Sequence, residues 1–133
     1  MIYLLDTHSV IWALTDTKKL SKKVKDILVN PDHQIIVSTI SFWEISLKSS
    51  LGKLVIKGFS PEELPDLCVQ MGFDIELLSS HDSSTYHQLK ATHHKDPFDR
   101  MLIWQAISNN YTLISVDSNV RRYISTGLKI FVV

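Results

Sequence analysis

The sequence predicts an α/β protein: a three-layer α/β/α sandwich with a mainly parallel sheet of four to five strands. Three observations predict it. Short apolar, β-prone runs recur along the chain as IYLL, QIIVS, FDIELL, TLISV and LKIFVV. Segments of helical character separate each run from the next, which implies right-handed crossovers and strands that run parallel. Hydrophobic residues make up 44% of 133 positions, enough to fill a core on both faces of such a sheet.

Each element has a local cause. IYLL ends at Asp6, and SVIWAL then turns helical with Ser9 near its start. LSKKVKDILVN offers Ser21 as N-cap, sets Leu20, Val24, Ile27 and Leu28 on one face, and stops at Asn30 and Pro31. After the strand QIIVS, the segment SFWEISLKSSLGK opens with Ser41 three residues before Glu44, the capping-box spacing, and ends at Gly52. SPEELPDLCVQMG repeats the device with Ser60, Pro61 and Glu63, although Pro65 shortens the first turn. FDIELL alternates as a third strand, HDSSTYHQL forms a short polar helix, and ATHHKD is a loop. In HHKDPFDRMLIWQA, Asp96 caps a helix, Pro97 takes its first position and Asp99 sits where the macrodipole favours an anion. Apolar residues occupy nearly every face of that helix, so it is deeply buried. TLISV runs to Asp117, SNVRRYIS is a short helix, and LKIFVV closes the sheet.

Composition narrows the classes of function. A single domain spanning residues 1–133 is expected, and no apolar run reaches the roughly 20 residues of a membrane span. The start, MIYLLDTHSV, lacks the basic residues of a signal peptide, so a cytoplasmic location is expected. Cys68 is the one cysteine and reads as a buried small hydrophobe rather than a nucleophile. Fourteen basic and fourteen acidic side chains give zero net charge, so no global field announces a nucleic-acid partner. Carboxylates gathered around cations would leave the remaining surface basic, with Lys18, Lys19, Lys22, Lys23 and Lys25 the densest run; such a run is also what a solvated helix face looks like.

Open parallel sheets bind ligands outside the carboxyl ends of their strands. Asp6 and Asp117 are placed at two such ends, and Glu44 and Asp99 on the first turns of helices that begin at the same edge. Asp96 is close by. Carboxylates about 4 Å apart repel by roughly 4 kcal/mol at an effective dielectric near 20, and the sequence shows no matching set of buried lysines. Divalent cations of the Mg²⁺ or Mn²⁺ type, which prefer hard oxygen ligands and often share them with phosphate, are the economical neutraliser, and phosphodiester hydrolysis is the chemistry that follows. Glu44 and Asp117 also have ordinary capping duties available, whereas Asp6 has none as obvious. His8, His93 and His94 lack a spacing that pairs them with cysteine or glutamate, and read as solvated loop histidines.

LLDTH at the start, SFWEISLKSSLGKL in the middle, HKDPFDRML before the long helix and LISVD near the end resemble, in order and interval, the PIN-domain ribonucleases, and among them the VapC-like toxins of toxin–antitoxin modules. The resemblance implies a metal-dependent endoribonuclease using Mg²⁺ or Mn²⁺. Asp6 and Asp99 would be its main ligands, with Glu44 and Asp117 completing the catalytic metal site and Asp96 second-shell or structural. It places Thr7 and Ser115 beside the acids as hydroxyls that orient waters or ligands, and Arg100 near a carboxylate, a phosphate or simply the helix surface. It also implies a homodimer, an RNA substrate, no membrane, and a cognate small antitoxin. Trp12, Phe42, Trp43 and Leu47 are candidates for a groove that accepts a partner's helix, or else fill the core. The neutral charge departs from a general RNA binder, so affinity must come from metals plus a local basic patch, favouring a short or structured target. Two rivals remain at this point: a phosphatase-like aspartate enzyme, disfavoured because the position two after Asp6 is His8 rather than an acid, and a noncatalytic α/β binding module whose acids only cap helices.

Overall fold

Five strands form one wholly parallel sheet in the order β3-β2-β1-β4-β5: β1 (Ile2–Leu5), β2 (Gln34–Ser38), β3 (Asp74–Glu76), β4 (Thr112–Ser115) and β5 (Lys129–Val132). The structure is a computed structural model describing residues 1–90 and 96–132, so the expected loop over 91–96 lies outside the described residues except for Asp96. Leu4 pairs with Ile36 on one side and Leu113 on the other, and chain order reverses between β1 and β4. That reversal opens a crevice at the carboxyl ends of the two strands.

The pleat sends alternate side chains to opposite layers. Tyr3, Leu5, Ile35, Val37 and Ile114 meet Val10 and Ala13 of α1 (Thr7–Thr15), Val24 and Ile27 of α2 (Lys22–Val29), and Cys68 of α4 (Leu64–Gln70). Leu4, Ile36 and Leu113 face Leu102, Ile103 and Ala106 of α6 (Pro97–Asn109), together with Val120 and Tyr123 of a 3₁₀ segment, Ser118–Thr126. Helices on both faces make the three-layer sandwich that the strand and helix alternation predicts. Between the layers run α3 (Thr39–Ser50) and α5 (Ser80–Thr85). No helix among the described residues is long and apolar enough to cross a membrane.

Several boundaries differ from expectation, each for a local reason. Helix α1 begins at Thr7, not near Ser9, because the Asp6 side chain accepts from the Ser9 N–H and caps it. Helix α3 begins at Thr39 because Ser38, the last residue paired with β3, supplies the cap, so Ser41 and Glu44 form no capping box. The FDIELL run is strand only over Asp74–Glu76, and the segment after Asp117 is 3₁₀ rather than α. A 3₁₀ turn, Pro61–Glu63, precedes α4 as Pro65 requires.

Helix α6 is as buried as its composition demands, with Leu102 to Ala106 consecutively out of solvent. Gln105 is wholly buried in it; its Oε1 accepts from Ser38 Oγ at 2.7 Å, and its Nε2 has no partner among the described residues. Nothing in the sequence flags Asp82, yet this buried carboxylate accepts from Ser108 Oγ at 2.5 Å and from Asn109 Nδ2 at 2.9 Å, bolting α5 to the end of α6. Asp82→Ala removes both bonds, although Asn109 keeps the Gln105 carbonyl, and should cost about 2 kcal/mol, read as a lowered midpoint in urea denaturation at unchanged slope.

One buried and one half-buried acid set an alkaline limit. Burial pushes the Cys68 thiol from 9.0 up to about 11, which also keeps it an unreactive core group. Burial first, then the hydrogen bond to Glu76 and the charges of Glu76 and Asp82, push Tyr111 from 10.0 up to about 12. Folded values raised above unfolded ones mean full stability below about pH 9 and loss as pH climbs through the folded values. Chemical denaturation from pH 7 to 11 should therefore show a plateau and then a fall starting near pH 9; a flat profile to pH 11 contradicts it.

Candidate functional site

One cavity of about 230 Å³ lies over the crevice between β1 and β4, and Asp6, Glu44, Asp99 and Asp117 all line it. They come from the end of β1, the second turn of α3, the first turn of α6 and the loop after β4. Asp96 is not in the lining; its Oδ1 accepts from the N–H groups of Phe98 at 2.8 Å and Asp99 at 3.2 Å, so it caps α6 and thereby orients the turn that carries Asp99. An edge-on contact between Trp43 and Phe98, with ring centroids 5.1 Å apart, fixes α3 against that same turn.

Asp6 is tied down at both oxygens. Oδ1 accepts from the Ser9 N–H at 2.8 Å and Oδ2 from the Val116 N–H at 3.0 Å, a bond across the β1–β4 reversal. Each oxygen keeps a further lone pair for the cavity. The expectation that Asp6 has no plain capping duty is thus corrected: it caps α1 and faces the cavity together. Asp117 does likewise, accepting from the Asn119 N–H at 2.9 Å, while its own N–H donates to Ser115 Oγ at 3.0 Å.

Glu44 is different. It lies 2% exposed in the body of α3, where no helix end needs it, so its expected first-turn placement is corrected. Thr7 Oγ1 donates to its Oε1 at 2.6 Å, and the Lys48 ammonium donates to Oε2 from one turn on. Thr7 therefore serves Glu44 rather than its neighbour Asp6, and Ser115 serves the Asp117 backbone. Lys48 also lines the cavity, a single, partly exposed lysine against four carboxylates. Its hydrogen bond to Glu44 raises its pKa first and foremost; burial opposes that, and the charges of Glu44, Asp96 and Asp99 add to it. The i,i+4 spacing of Glu44 and Lys48 was a readable signal for this pair.

Other expected participants divide. Arg100 turns from the cavity to brace the chain before α6, its Nε donating to Tyr86 Oη at 2.8 Å and its Nη2 to the Leu89 carbonyl at 2.9 Å. His8 is on α1 rather than in a loop; it is exposed and lines the cavity mouth, whereas His93 and His94 lie outside the described residues. Trp12 and Phe42 pack on the core, while Trp43 and Leu47, 61% and 38% exposed, face solvent.

As they stand, no three His, Cys, Asp or Glu side chains among the described residues converge on one ion. The donor set nonetheless suits a hard cation that retains most of its waters, for which one or two direct carboxylates suffice. The lining holds oxygen ligands only, apart from His8 at the mouth and Lys48.

A family model described as PIN domain matches residues 3–124. No curated protein matches the chain in sequence. Among solved structures, a chain of VapBC2 from Rickettsia felis bound to a DNA fragment from their promoter is similar with a TM-score of 0.71 at 19% identity, covering 100% of this chain and 99% of that one. A chain of DNA-bound VapBC from Salmonella typhimurium follows at 0.65 and 16%, covering 98% and 97%. VapBC-5 from Mycobacterium tuberculosis, a member of the VapBC family of toxin–antitoxin systems, gives 0.57 at 12%, covering 99% and 98%. At such identities the likeness is one of fold.

Proposed function

The chain belongs to the PIN-domain family, and from that premise we propose that it is a Mg²⁺- or Mn²⁺-dependent endoribonuclease, the toxin of a toxin–antitoxin module. PIN domains are nucleases, so hydrolysis of phosphodiester bonds is the chemistry assigned to the cavity. Glu44 is the observation that carries this reading. Asp6, Asp96 and Asp117 all cap helices and would be explained by capping alone, but a carboxylate buried in the body of α3 and aimed at the cavity caps nothing. Lys48 and Thr7 satisfy that carboxylate, but a buried ion pair adds little net stability once desolvation is counted, which argues for chemistry rather than architecture.

In the proposed mechanism Asp6 and Asp99 would hold the cation, with Asp117 and Glu44 as further oxygen donors facing it. The chemistry such a cation supplies when bound is activation of a water and neutralisation of charge on the phosphate and leaving oxygen. Thr7 and Lys48 fix the Glu44 carboxylate, and the Lys48 ammonium adds a positive charge to the cavity wall where a phosphate oxygen would lie. The backbone N–H groups of Ser9 and Val116 hold Asp6 in one orientation, so the ligand is set before substrate arrives.

Restraint by a small antitoxin, and a homodimer, are proposed on the family likeness. Trp43 and Leu47, four apart on α3, and Leu51 at its C-cap are exposed and suit either contact. Total cellular RNA incubated with purified protein and Mn²⁺ or Mg²⁺, beside an Asp6→Asn control and a chelator control, tests the enzyme. New RNA ends seen only with active protein and metal are expected. Their absence with folded, inhibitor-free protein would move the noncatalytic binding module to the front.

A further inference from the structure

Two hollows adjoin the acidic cavity and share lining residues with it. His8 lines all three; Glu44 and Lys48 join the cavity to a hollow of about 220 Å³, and Ile11 and Leu54 join that one to a third of about 360 Å³ along α1 and residues 54–57. We infer that these adjoining hollows are the track for single-stranded RNA flanking the scissile phosphate, an inference that rests on the nuclease reading above. The charge changes sign along it. Four carboxylates face one lysine in the cavity, but the middle hollow sets Lys48 and Lys53 against Glu44, and the outer one sets Lys19 and Lys57 against Asp16. Lys19 is 3.9 Å from Asp16 and 5.6 Å from the Trp12 ring centre.

A phosphodiester chain suits both ends. An acidic peptide is repelled at the carboxylates, and a basic one at the lysines. A phosphodiester chain meets lysines along the groove and a divalent cation in the cavity. Aromatic surface is present as well: His8 and Trp12, one turn apart on α1, hold their rings 6.3 Å apart at 66°. Trp12 is half-buried against the core and Lys19 lies over its ring, so the exposed His8 ring is the face on which a base of any kind could stack. Beside them runs an extended apolar wall, Leu54, Val55 and Ile56, with Val55 86% exposed. The conspicuous lysine run takes no part apart from Lys19. Lys18, Lys22, Lys23 and Lys25 are exposed and line none of the three hollows, so a chain of zero net charge presents its useful cations through folding rather than through sequence clustering.

The test is binding of a labelled single-stranded RNA of about a dozen nucleotides in chelator, where nothing is cleaved, followed by cleavage with metal. Losing two phosphate contacts on a single strand, each about fivefold at 0.1 M salt relative to 1 M, should weaken binding by Lys53→Ala/Lys57→Ala about 25-fold and flatten the salt slope by about 1.4. With metal, KM for the long RNA rises while kcat, and cleavage of a trinucleotide too short to reach the groove, stay at the wild-type level. Lys22→Ala/Lys23→Ala on α2 binds as wild type. Equal RNA binding by the groove variant and wild type, or equal weakening by the α2 variant, overturns the track. So does a groove variant that loses only a protein partner, which would assign the groove to that partner. Wild-type RNA binding that depends on Lys53 and Lys57 without any metal-dependent cleavage would sink the nuclease reading instead and leave an RNA-binding groove.

Discussion

Asp6→Asn is expected to lower metal-dependent RNA cleavage more than about 100-fold while leaving the fold near wild-type stability. Loss of groups that merely support a ligand already costs about 10–100-fold in metal affinity or activity, so loss of the charged ligand itself should exceed that range. The stability half follows from the two bonds Asp6 makes. Asparagine caps a helix about as well as aspartate, so the bond from the Ser9 N–H survives. The bond from Val116 is lost, at about 1 kcal/mol, and removing one negative charge from a cluster of four relieves repulsion in the opposite direction. Asp6→Ala loses cap and bridge together, about 2 kcal/mol. Thermal melts in chelator and in Mn²⁺ separate the contributions: Mn²⁺ should raise the midpoint of wild type and not that of Asp6→Asn. An Asp6→Asn protein that melts normally and still cleaves would remove Asp6 from the chemistry.

Lys48→Met should destabilise the metal-free protein by about 2 kcal/mol, some 6–10 °C in Tm, because it leaves the buried Glu44 carboxylate with only the Thr7 hydroxyl. Breaking a fully buried pair costs about 3–5 kcal/mol; here the lysine side chain is 34% exposed, and solvent screening reduces the figure. Methionine keeps much of the apolar stem, so the change reads charge rather than packing. Two further melts check the cause. Glu44→Gln in the Lys48→Met background should recover most of the loss, since no unpaired charge then remains, and Mn²⁺ should raise the variant's midpoint more than wild type's. Additive losses in the double variant would show that the ion pair is not what the lysine supplies.

Local signals were read well where the physics is local. Asp96, Pro97 and the Phe98 N–H interact within three residues, so the start of α6 stood in the sequence as it stands in the structure. The same rule failed at Ser41 and Glu44, because an equally good cap, Ser38, lies three residues earlier. That serine is preferred for a nonlocal reason: strand pairing with β3 ends there, and its hydroxyl is held by Gln105, 67 positions away. Asp82 escaped notice because its partners, Ser108 and Asn109, are 26 and 27 residues on.

The sequence by itself determined the layered parallel fold, the five acidic candidates and their family, since hydrophobic period and motif order are properties of neighbouring residues. Tertiary structure alone decided what each acid does. A carboxylate's role depends on which donors and charges reach it across the sheet: Val116 for Asp6, Thr7 for Glu44, backbone amides for Asp96. It also decided which lysines line the hollows beside the cavity, because Lys48 and Lys53 come together in one and Lys19 and Lys57 in the next only once the chain has folded.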